Sequence, residues 1–173
     1  IKYNDKHRYA IKEALENNIT IITGGPGTGK TTIIKAICNL YITLNNLNGD
    51  EAINNIMLLA PTGRASKRMS EGALFPASKI HRFLKWNKEN DEFMINEYNK
   101  DSHKLIIVDE VSMLDINLMS NLFKGLKDNI QIVFVGDYNQ LPSVGCGKVL
   151  KDMIDTNLIN VIYLEYLYRQ DEN

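Results

Sequence analysis

Short, continuous apolar runs recur along the chain, and polar or turn-forming segments separate them. Five of these runs predict buried strands, at 19–22, 56–60, 105–108, 130–135 and 161–164. A strand that is apolar at nearly every position is typical of a parallel sheet covered on both faces. Because helical segments alternate with these runs, we predict an α/β fold with a mostly parallel sheet, flanking helices and right-handed crossover connections.

Apolar residues at helical spacing lie before and between the predicted strands. Four segments predict amphipathic helices, at 5–17, 31–41, 114–126 and 147–155. Segment 45–55 is polar and rich in asparagine, which favours a surface connection. Residues 85–100 are also polar, and they predict a small β-hairpin inserted in the main fold.

A glycine-rich segment, Gly24–Thr31, lies between the first predicted strand and the helix after it. It matches the pattern G-x-x-x-x-G-K-[ST], and its strand–loop–helix context separates a phosphate-binding loop from the alternative, an ordinary glycine-rich turn. In such a loop, backbone N–H groups and a helix N-terminus converge on one anion. The predicted nucleotide-binding residues are Gly24, Gly25, Pro26, Gly27, Thr28, Gly29, Lys30, Thr31 and Thr32.

Four side chains have the chemistry of a metal-assisted phosphate reaction. Lys30 offers a point charge to the β- and γ-phosphates, and Thr31 offers a hydroxyl to Mg²⁺. Asp109 fits the acid that holds Mg²⁺, usually through water, and Glu110 fits the base that orients and deprotonates the attacking water. The alternative interpretation of the two acids is that they cap a helix N-terminus.

Three polar segments follow predicted strands directly: Gly24–Thr31, Asp109–Glu110 and Gly136–Gln140. Ligands of open α/β sheets bind outside the carboxyl ends of the strands, so we expect these segments to meet at one site. Gln140 would then be an uncharged sensor of the γ-phosphate. Its alternative interpretation is an amide of a surface loop.

A basic span, residues 64–88, carries seven Lys or Arg residues and one acidic residue. Aromatic side chains lie among these cations: Phe75, His81, Phe83 and Trp86. Clustered cations with interleaved aromatics suit single-stranded nucleic acid, which binds through backbone charge and base stacking. A solvated helix face with ordinary core aromatics is the alternative.

Composition narrows the possible functions. The 173 residues are 44% hydrophobic with a net charge of −1, so any nucleic-acid surface must be local. Cys38 and Cys146 have no metal-ligand spacing and predict buried or idle thiols in a reducing compartment. We find no membrane-spanning run or signal peptide. The segment Asn87–Asn90 lacks the aspartate of an N-K-x-D guanine motif, so a GTPase is set aside.

Together the motifs resemble those of RecD-like superfamily 1 DNA helicases, the family of exodeoxyribonuclease V alpha subunits, over nearly the whole chain. The run G-D-x-x-Q-L-P-S-V-G together with D-E-x-S-M is the most specific part. The matching segments are Gly24–Thr32, Ala60–Ala65, Ile80–Arg82, Val108–Asp115, Val135–Gly145 and Tyr168–Gln170.

This resemblance implies a RecA-like motor domain that uses ATP and Mg²⁺ to move 5′→3′ on single-stranded DNA in repair or recombination. It implies that Gln140 couples the γ-phosphate to DNA and that Arg169 contacts the γ-phosphate. The hairpin region 85–100 matches a small inserted domain that forms a strand-separating pin. The implied DNA-binding residues are Pro61, Thr62, Gly63, Arg64, His81, Arg82 and Trp86.

The resemblance also implies partners and a location. We expect residues 1–173 to be the first motor domain, excised from a longer chain whose second RecA-like domain follows. Subunits of a nuclease complex are further candidate partners. The expected location is the cytoplasm of a bacterial-type cell, associated with the nucleoid.

Two departures from the family pattern change these expectations. His7 stands where the family usually has a glutamine that reads adenine, and an imidazole cannot present an amide's paired donor and acceptor. Without the second domain's transition-state arginine, we expect this chain to bind nucleotide weakly and neither to hydrolyse ATP efficiently nor to unwind DNA.

The alternative function is a non-motor P-loop module that regulates or scaffolds and does not move on DNA. A DNA-binding protein with a dead nucleotide site is disfavoured because the candidate catalytic side chains are all present.

Overall fold

The computed structural model describes residues 4–140 and 148–164. Its strands are β1 (Ile19–Thr23), β2 (Ile56–Ala60), β3 (Ala77–Lys79), β4 (Trp86–Asn87), β5 (Glu92–Phe93), β6 (Leu105–Val108), β7 (Gln131–Gly136) and β8 (Asn160–Tyr163). Six strands form one sheet in the order β3-β2-β6-β7-β1-β8, and every neighbouring pair is parallel. The remaining two, β4 and β5, pair antiparallel as a separate hairpin. The predicted α/β fold is confirmed.

Helices cover both faces of the sheet. They are α1 (Asp5–Glu16), α2 (Lys30–Leu44), α3 (Gly49–Asn55), α4 (Gly63–Ala73), α5 (Ile80–Phe83), α6 (Ile116–Lys124) and α7 (Lys148–Asp155), with a 3₁₀ turn at Val111–Met113. None of the helices in the described ranges is long and apolar enough to cross a membrane.

Alternate side chains of the central strands enter two separate cores. Ile22, Leu58 and Ile107 pack with buried residues of α1, α2 and α4 on one face. Their sequence neighbours on the same strands pack with α5, α6 and α7 on the other. Each fully buried isoleucine or leucine contributes about 1.5–3 kcal/mol of transfer free energy, which explains why the strands are apolar at nearly every position.

Helices α3, α4 and α5 and strand β3 were not predicted from the sequence, and two of these elements show why. The segment expected to be a surface connection contains α3, which begins with a capping box: Asn48 Oδ1 accepts from the Glu51 N–H at 2.8 Å, and Glu51 Oε1 accepts from the Asn48 N–H at 3.3 Å. The second is β3, which pairs Ala77 with Leu58 at the sheet edge. Its three residues are too few to show an alternating pattern.

The hairpin region is anchored to the main fold by buried side chains on its flanks. Leu84 and Ile95 are buried, and the Ile95 N–H donates to the Leu84 carbonyl at 3.0 Å. A Cβ at Gly125, the C-cap of α6, would lie 2.9 Å from Ile95 Cγ2. The close approach of α6 therefore requires glycine at this position.

His103 fastens the segment after the hairpin region to α3. Its Nδ1 lies 2.8 Å from Asp101 Oδ2, and its Nε2 lies 3.1 Å from the Ile53 carbonyl oxygen. Both oxygens only accept, so an imidazolium that donates from both nitrogens satisfies both contacts. The Asp101 hydrogen bond raises the pKa of His103. The hydrogen bonds and charge of His103 outweigh burial and lower the pKa of Asp101.

This pair predicts a pH-dependent part of the stability. A raised imidazole pKa stabilises the fold fully below about pH 6.5, and this contribution is lost as pH rises through the folded pKa. We expect His103→Gln to lower the melting temperature most at pH 5–6. At pH 9 the effect should be small, because His103 of the wild type is then neutral. Thermal unfolding of both proteins at several pH values between 5 and 9 measures this difference in melting temperature. Asp101→Asn should remove the same component, and a destabilisation equal at all pH values would contradict the assignment.

Candidate functional site

The segment between β1 and α2 folds as a loop that needs its glycines. Gly27 and Gly29 have φ angles of 77° and 89°, in the left-handed region that glycine adopts without cost. A Cβ at Gly24 would lie 2.5 Å from Thr28 Oγ1, and that hydroxyl donates to the Gly25 carbonyl at 2.7 Å. The loop therefore holds backbone N–H groups close to the N-terminus of α2, where an anion is stabilised.

Lys30 lies across this loop. Its Nζ donates to the Gly24 carbonyl at 2.5 Å, so the ammonium is already held at the loop. The Gly24 N–H donates to the Gly136 carbonyl at 3.0 Å, and Thr23 Oγ1 accepts from the Tyr138 N–H at 2.8 Å. These bonds fix the loop against the segment that follows β7.

The acidic pair follows β6, the neighbour of β7 in the sheet. Asp109 continues the ladder by donating its N–H to the Leu59 carbonyl at 2.9 Å. Its Oδ1 accepts from the Glu110 N–H at 2.8 Å. Glu110 has a φ angle of 56°, an unfavourable conformation for a residue with a side chain and one that often marks functional positions.

Burial and nearby cations have opposite effects on the ionisation of Asp109. Burial raises the pKa of Asp109, whereas the positive charges of Lys30 and Arg68 oppose this shift. Thr31 and Asp109 offer hard oxygen donors of the kind that Mg²⁺ prefers. The described residues contain no group of three or more His, Cys, Asp or Glu side chains that could hold a metal ion. A divalent cation here would therefore complete its coordination with water and phosphate oxygens.

Ser112 joins the acidic segment to Gln140. Its Oγ donates to Gln140 Oε1 at 3.0 Å, and the serine is buried. Ser112 belongs to the D-E-x-S-M motif, from which no role was predicted for it. Its position two residues after Glu110 was visible in the sequence, but its partner lies 28 residues further along the chain. The contact supports an oriented Gln140 amide.

His7 lies inside the protein, against the phosphate loop. Its Nδ1 accepts from the Asn4 N–H at 3.4 Å, so its protonated Nε2 donates to the Thr28 carbonyl at 2.8 Å. The side chain is 3% exposed. Adenine contact by His7 stays a prediction, and the geometry favours a supporting role because both ring nitrogens already have protein partners.

The predicted DNA-binding segments lie at the same edge of the sheet. Pro61–Arg64 follow β2, and Ile80–Arg82 follow β3. Thr62 caps α4 by accepting from the Ala65 N–H at 3.1 Å. The side chains of Arg64 and Arg82 are exposed. Along this edge the acidic pair lies between the basic segments and the phosphate loop.

The aromatic residues of the basic span divide into two groups. Phe83 is buried in one core and Phe75 packs, partly buried, against the other, as the alternative interpretation expects. His81 and Trp86 form a cluster with Phe93, and the Trp86 and Phe93 ring centroids are 4.7 Å apart. Burial is the main cause that lowers the pKa of His81. A cavity of about 920 Å³ beside this cluster also has the acidic lining residues Asp91, Glu92, Glu97 and Asp115.

Two further predictions concern Arg169 and the two cysteines. Arg169 and Cys146 lie outside the described residues. Cys38 is buried, and burial raises the pKa of its thiol to about 12. The prediction of a buried, unreactive thiol is therefore confirmed for Cys38.

A phosphate loop after one parallel strand, with an acidic pair after a nearby strand, defines a P-loop NTPase domain. The sequence profile of the AAA domain family matches residues 7–146, and the chain belongs to this family. Within it, the chain is RecD-like in sequence, and its motifs resemble those of superfamily 1 helicases. The relatives below support this assignment, and they do not favour the non-motor alternative.

Two relatives illustrate the sequence similarity. The RecBCD enzyme subunit RecD of Mycobacterium tuberculosis is 35% identical over 167 residues, which cover 87% of this chain and 29% of that protein. The ATP-dependent RecD2 DNA helicase of Deinococcus radiodurans is 35% identical over 154 residues, covering 89% of this chain and 20% of that protein. The chain thus spans less than a third of either relative.

Solved structures share the fold at lower identity. Bacteroides sp Pif1 in complex with ADP-AlF4 has a TM-score of 0.66 and 18% identity, covering 98% of this chain and 43% of that one. Pif1 helicase from Candida albicans has a TM-score of 0.65 and 21% identity, covering 100% of this chain and 42% of that one. At this identity the likeness concerns the fold alone, and it agrees with a RecA-like sheet.

Proposed function

We propose that this chain is the ATP-binding and hydrolysing half of a 5′→3′ DNA helicase that acts in repair or recombination. The observation that carries the proposal is the order of segments along one sheet edge. The basic segments after β3 and β2, the acidic pair after β6, the Gln140 loop after β7 and the phosphate loop after β1 lie side by side. A motor needs its nucleotide and its track at neighbouring sites.

The nucleotide in this proposal is ATP with Mg²⁺. Backbone N–H groups of Gly25 and of residues 27–29, together with the Lys30 ammonium, would bind the phosphates, and Thr31 and Asp109 would hold the metal. When bound, Mg²⁺ neutralises charge that develops on the phosphates. Glu110 accepts the proton of the attacking water.

Two further residues would report on the γ-phosphate in this proposal. Gln140, held by Ser112, senses it from the loop after β7. Arg169 is the second contact, as the family resemblance implies.

Single-stranded DNA is the proposed track. The exposed Arg64 and Arg82 would contact its backbone, and Trp86 would stack on a base. The carboxylates near Trp86 disfavour phosphates at that cavity, so a base is the part of the strand that suits it. The short hairpin of β4 and β5 would be the strand-separating pin.

Further partners belong to the same proposal. They are a second RecA-like domain of the same full-length chain and subunits of a nuclease complex, since one relative is named as a subunit of RecBCD. A nucleoid-associated location in the bacterial cytoplasm follows from the proposed DNA substrate.

Titration with labelled single-stranded DNA tests the proposal, with and without a non-hydrolysable ATP analogue and Mg²⁺. We expect Arg64→Ala and Arg82→Ala to weaken binding and each to reduce the salt slope by about one. Trp86→Ala should cost about 1–3 kcal/mol of stacking energy. Binding should also weaken as salt rises.

Lys104→Ala is the matched control, because Lys104 precedes β6 at the opposite edge of the sheet. It should leave DNA affinity unchanged. If nucleotide binds but the full-length protein does not bind DNA, the motor proposal is wrong and the non-motor alternative regains support.

A further inference from the structure

Helix α4 approaches the start of α2 so closely that one position has no room for a side chain. A Cβ at Gly72 would lie 2.2 Å from Thr31 Cγ2, 3.6 Å from Thr31 Cβ and 3.9 Å from Thr31 Oγ1. Real Cβ atoms essentially never come within 3.0 Å of another heavy atom. By contrast, a Cβ at Gly49 or Gly63, the first residues of α3 and α4, would meet nothing within 4 Å.

Backbone conformation does not explain glycine at position 72. The glycines with a positive φ among the described residues are Gly27 and Gly29, so Gly72 has ordinary helical geometry that alanine also adopts. Glycine is less favourable than alanine inside a helix because it loses more backbone entropy on folding. The contact with Thr31 is therefore the local reason for glycine.

The methyl and hydroxyl groups of Thr31 cannot move independently. Both are bonded to Cβ and turn together about χ1, which has three staggered positions. The rotation that points the hydrogen towards position 72 moves the methyl group into the place of the hydroxyl. A side chain at position 72 would therefore displace Thr31 Oγ1, the proposed Mg²⁺ ligand.

We propose that Gly72 is a positioning residue for the metal ligand Thr31. Because glycine has no side chain, α4 can pack against the Thr31 γ-methyl group and so hold the Thr31 hydroxyl in the orientation that would bind Mg²⁺. The inference rests on the proposed function of Thr31. Helix α4 begins beside Arg64 of the proposed DNA track and ends at this contact, so one rigid element touches both sites.

The test compares the affinity of a fluorescent ADP analogue with and without Mg²⁺ in five proteins: the wild type, Thr31→Ala, Thr31→Ser, Gly72→Ala and the double variant Gly72→Ala/Thr31→Ser. Serine keeps the hydroxyl and lacks the γ-methyl, so it removes the clash. We expect Gly72→Ala to lose about tenfold or more of the Mg²⁺ enhancement, as Thr31→Ala does, while Mg²⁺-free affinity changes little. The double variant should recover the enhancement of Thr31→Ser.

Gly49→Ala is the control for adding a methyl group to a helical glycine, and it should behave as the wild type. An undiminished Mg²⁺ enhancement in Gly72→Ala would overturn the inference. If Gly72→Ala does not fold, the double variant decides: recovery of folding and enhancement supports the inference, and failure of both overturns it. If instead Thr31→Ala keeps the full enhancement, the proposed role of Thr31 itself is wrong.

Discussion

Lys30→Ala is expected to lower the affinity for ATP on the order of 100-fold. Hydrogen bonds to charged groups contribute about 1.5–3 kcal/mol each, and a factor of ten in affinity corresponds to about 1.4 kcal/mol. Lys30 already lies at the loop, with its ammonium on the Gly24 carbonyl, so little reorganisation would precede its contact with phosphate. Calorimetric titration with a non-hydrolysable ATP analogue measures the loss.

A second effect of this substitution concerns pH. The Lys30 charge opposes the raised pKa of Asp109, so its removal should raise that pKa further. Mg²⁺ binding needs the ionised Asp109 carboxylate. As the pH is lowered, the variant should therefore lose its Mg²⁺-dependent affinity at a higher pH than the wild type does. Lys35→Ala, five residues along α2, is the matched control. Equal losses from both substitutions would show that Lys30 has no specific role.

Glu110→Gln is expected to reduce ATP hydrolysis by the full-length protein about 10²- to 10⁴-fold, the usual contribution of a general base. Glutamine keeps the size of the side chain but cannot accept the proton of the attacking water. Nucleotide affinity should change little, because the phosphates are proposed to bind at the loop and at Lys30. Single-turnover hydrolysis together with nucleotide titration separates the two effects.

Glu16→Gln provides the control for this experiment, since Glu16 ends α1 and is exposed away from the proposed site. Hydrolysis that persists at the wild-type rate in Glu110→Gln would assign the base elsewhere. Use of the full-length protein matters here, because we propose that this chain hydrolyses ATP slowly without the second motor domain. Rapid DNA-stimulated turnover by residues 1–173 alone would contradict that part of the proposal.

Local patterns predicted most of the sheet, and they failed where an element was short or polar. The strand β6, Leu105–Val108, has the predicted bounds because all four of its residues are apolar and buried, and the residues on either side are polar. The helix α3 was missed because its formation depends on a polar capping box and one buried alanine rather than on an apolar stripe. The strand β3 exists because β2 offers it an edge.

Contacts at the candidate site were less accessible to sequence analysis. Motif spacing placed each segment after a strand, but side-chain partners lie far apart in the chain. Ser112 and Gln140 are separated by 28 residues, and His7 and Thr28 by 21. The close approach of Gly72 to Thr31 joins two helices, and no sequence pattern around either residue indicates it. These contacts depend on how the helices and loops pack together, and local sequence patterns do not predict that packing.

The sequence by itself determined the class of fold, the phosphate loop and the family, because each depends on local chemistry: apolar runs, glycines that permit left-handed turns, and motifs of fixed spacing. Only the tertiary structure decided which segments are neighbours. Strands that follow one another in the chain as β1, β2, β3, β6, β7 and β8 lie in the order β3-β2-β6-β7-β1-β8. Parallel strands are joined by crossover connections that pass over a face of the sheet, so strands that are neighbours in the sheet need not be neighbours in the chain. The observed order places the acidic pair between the phosphate loop and the basic segments.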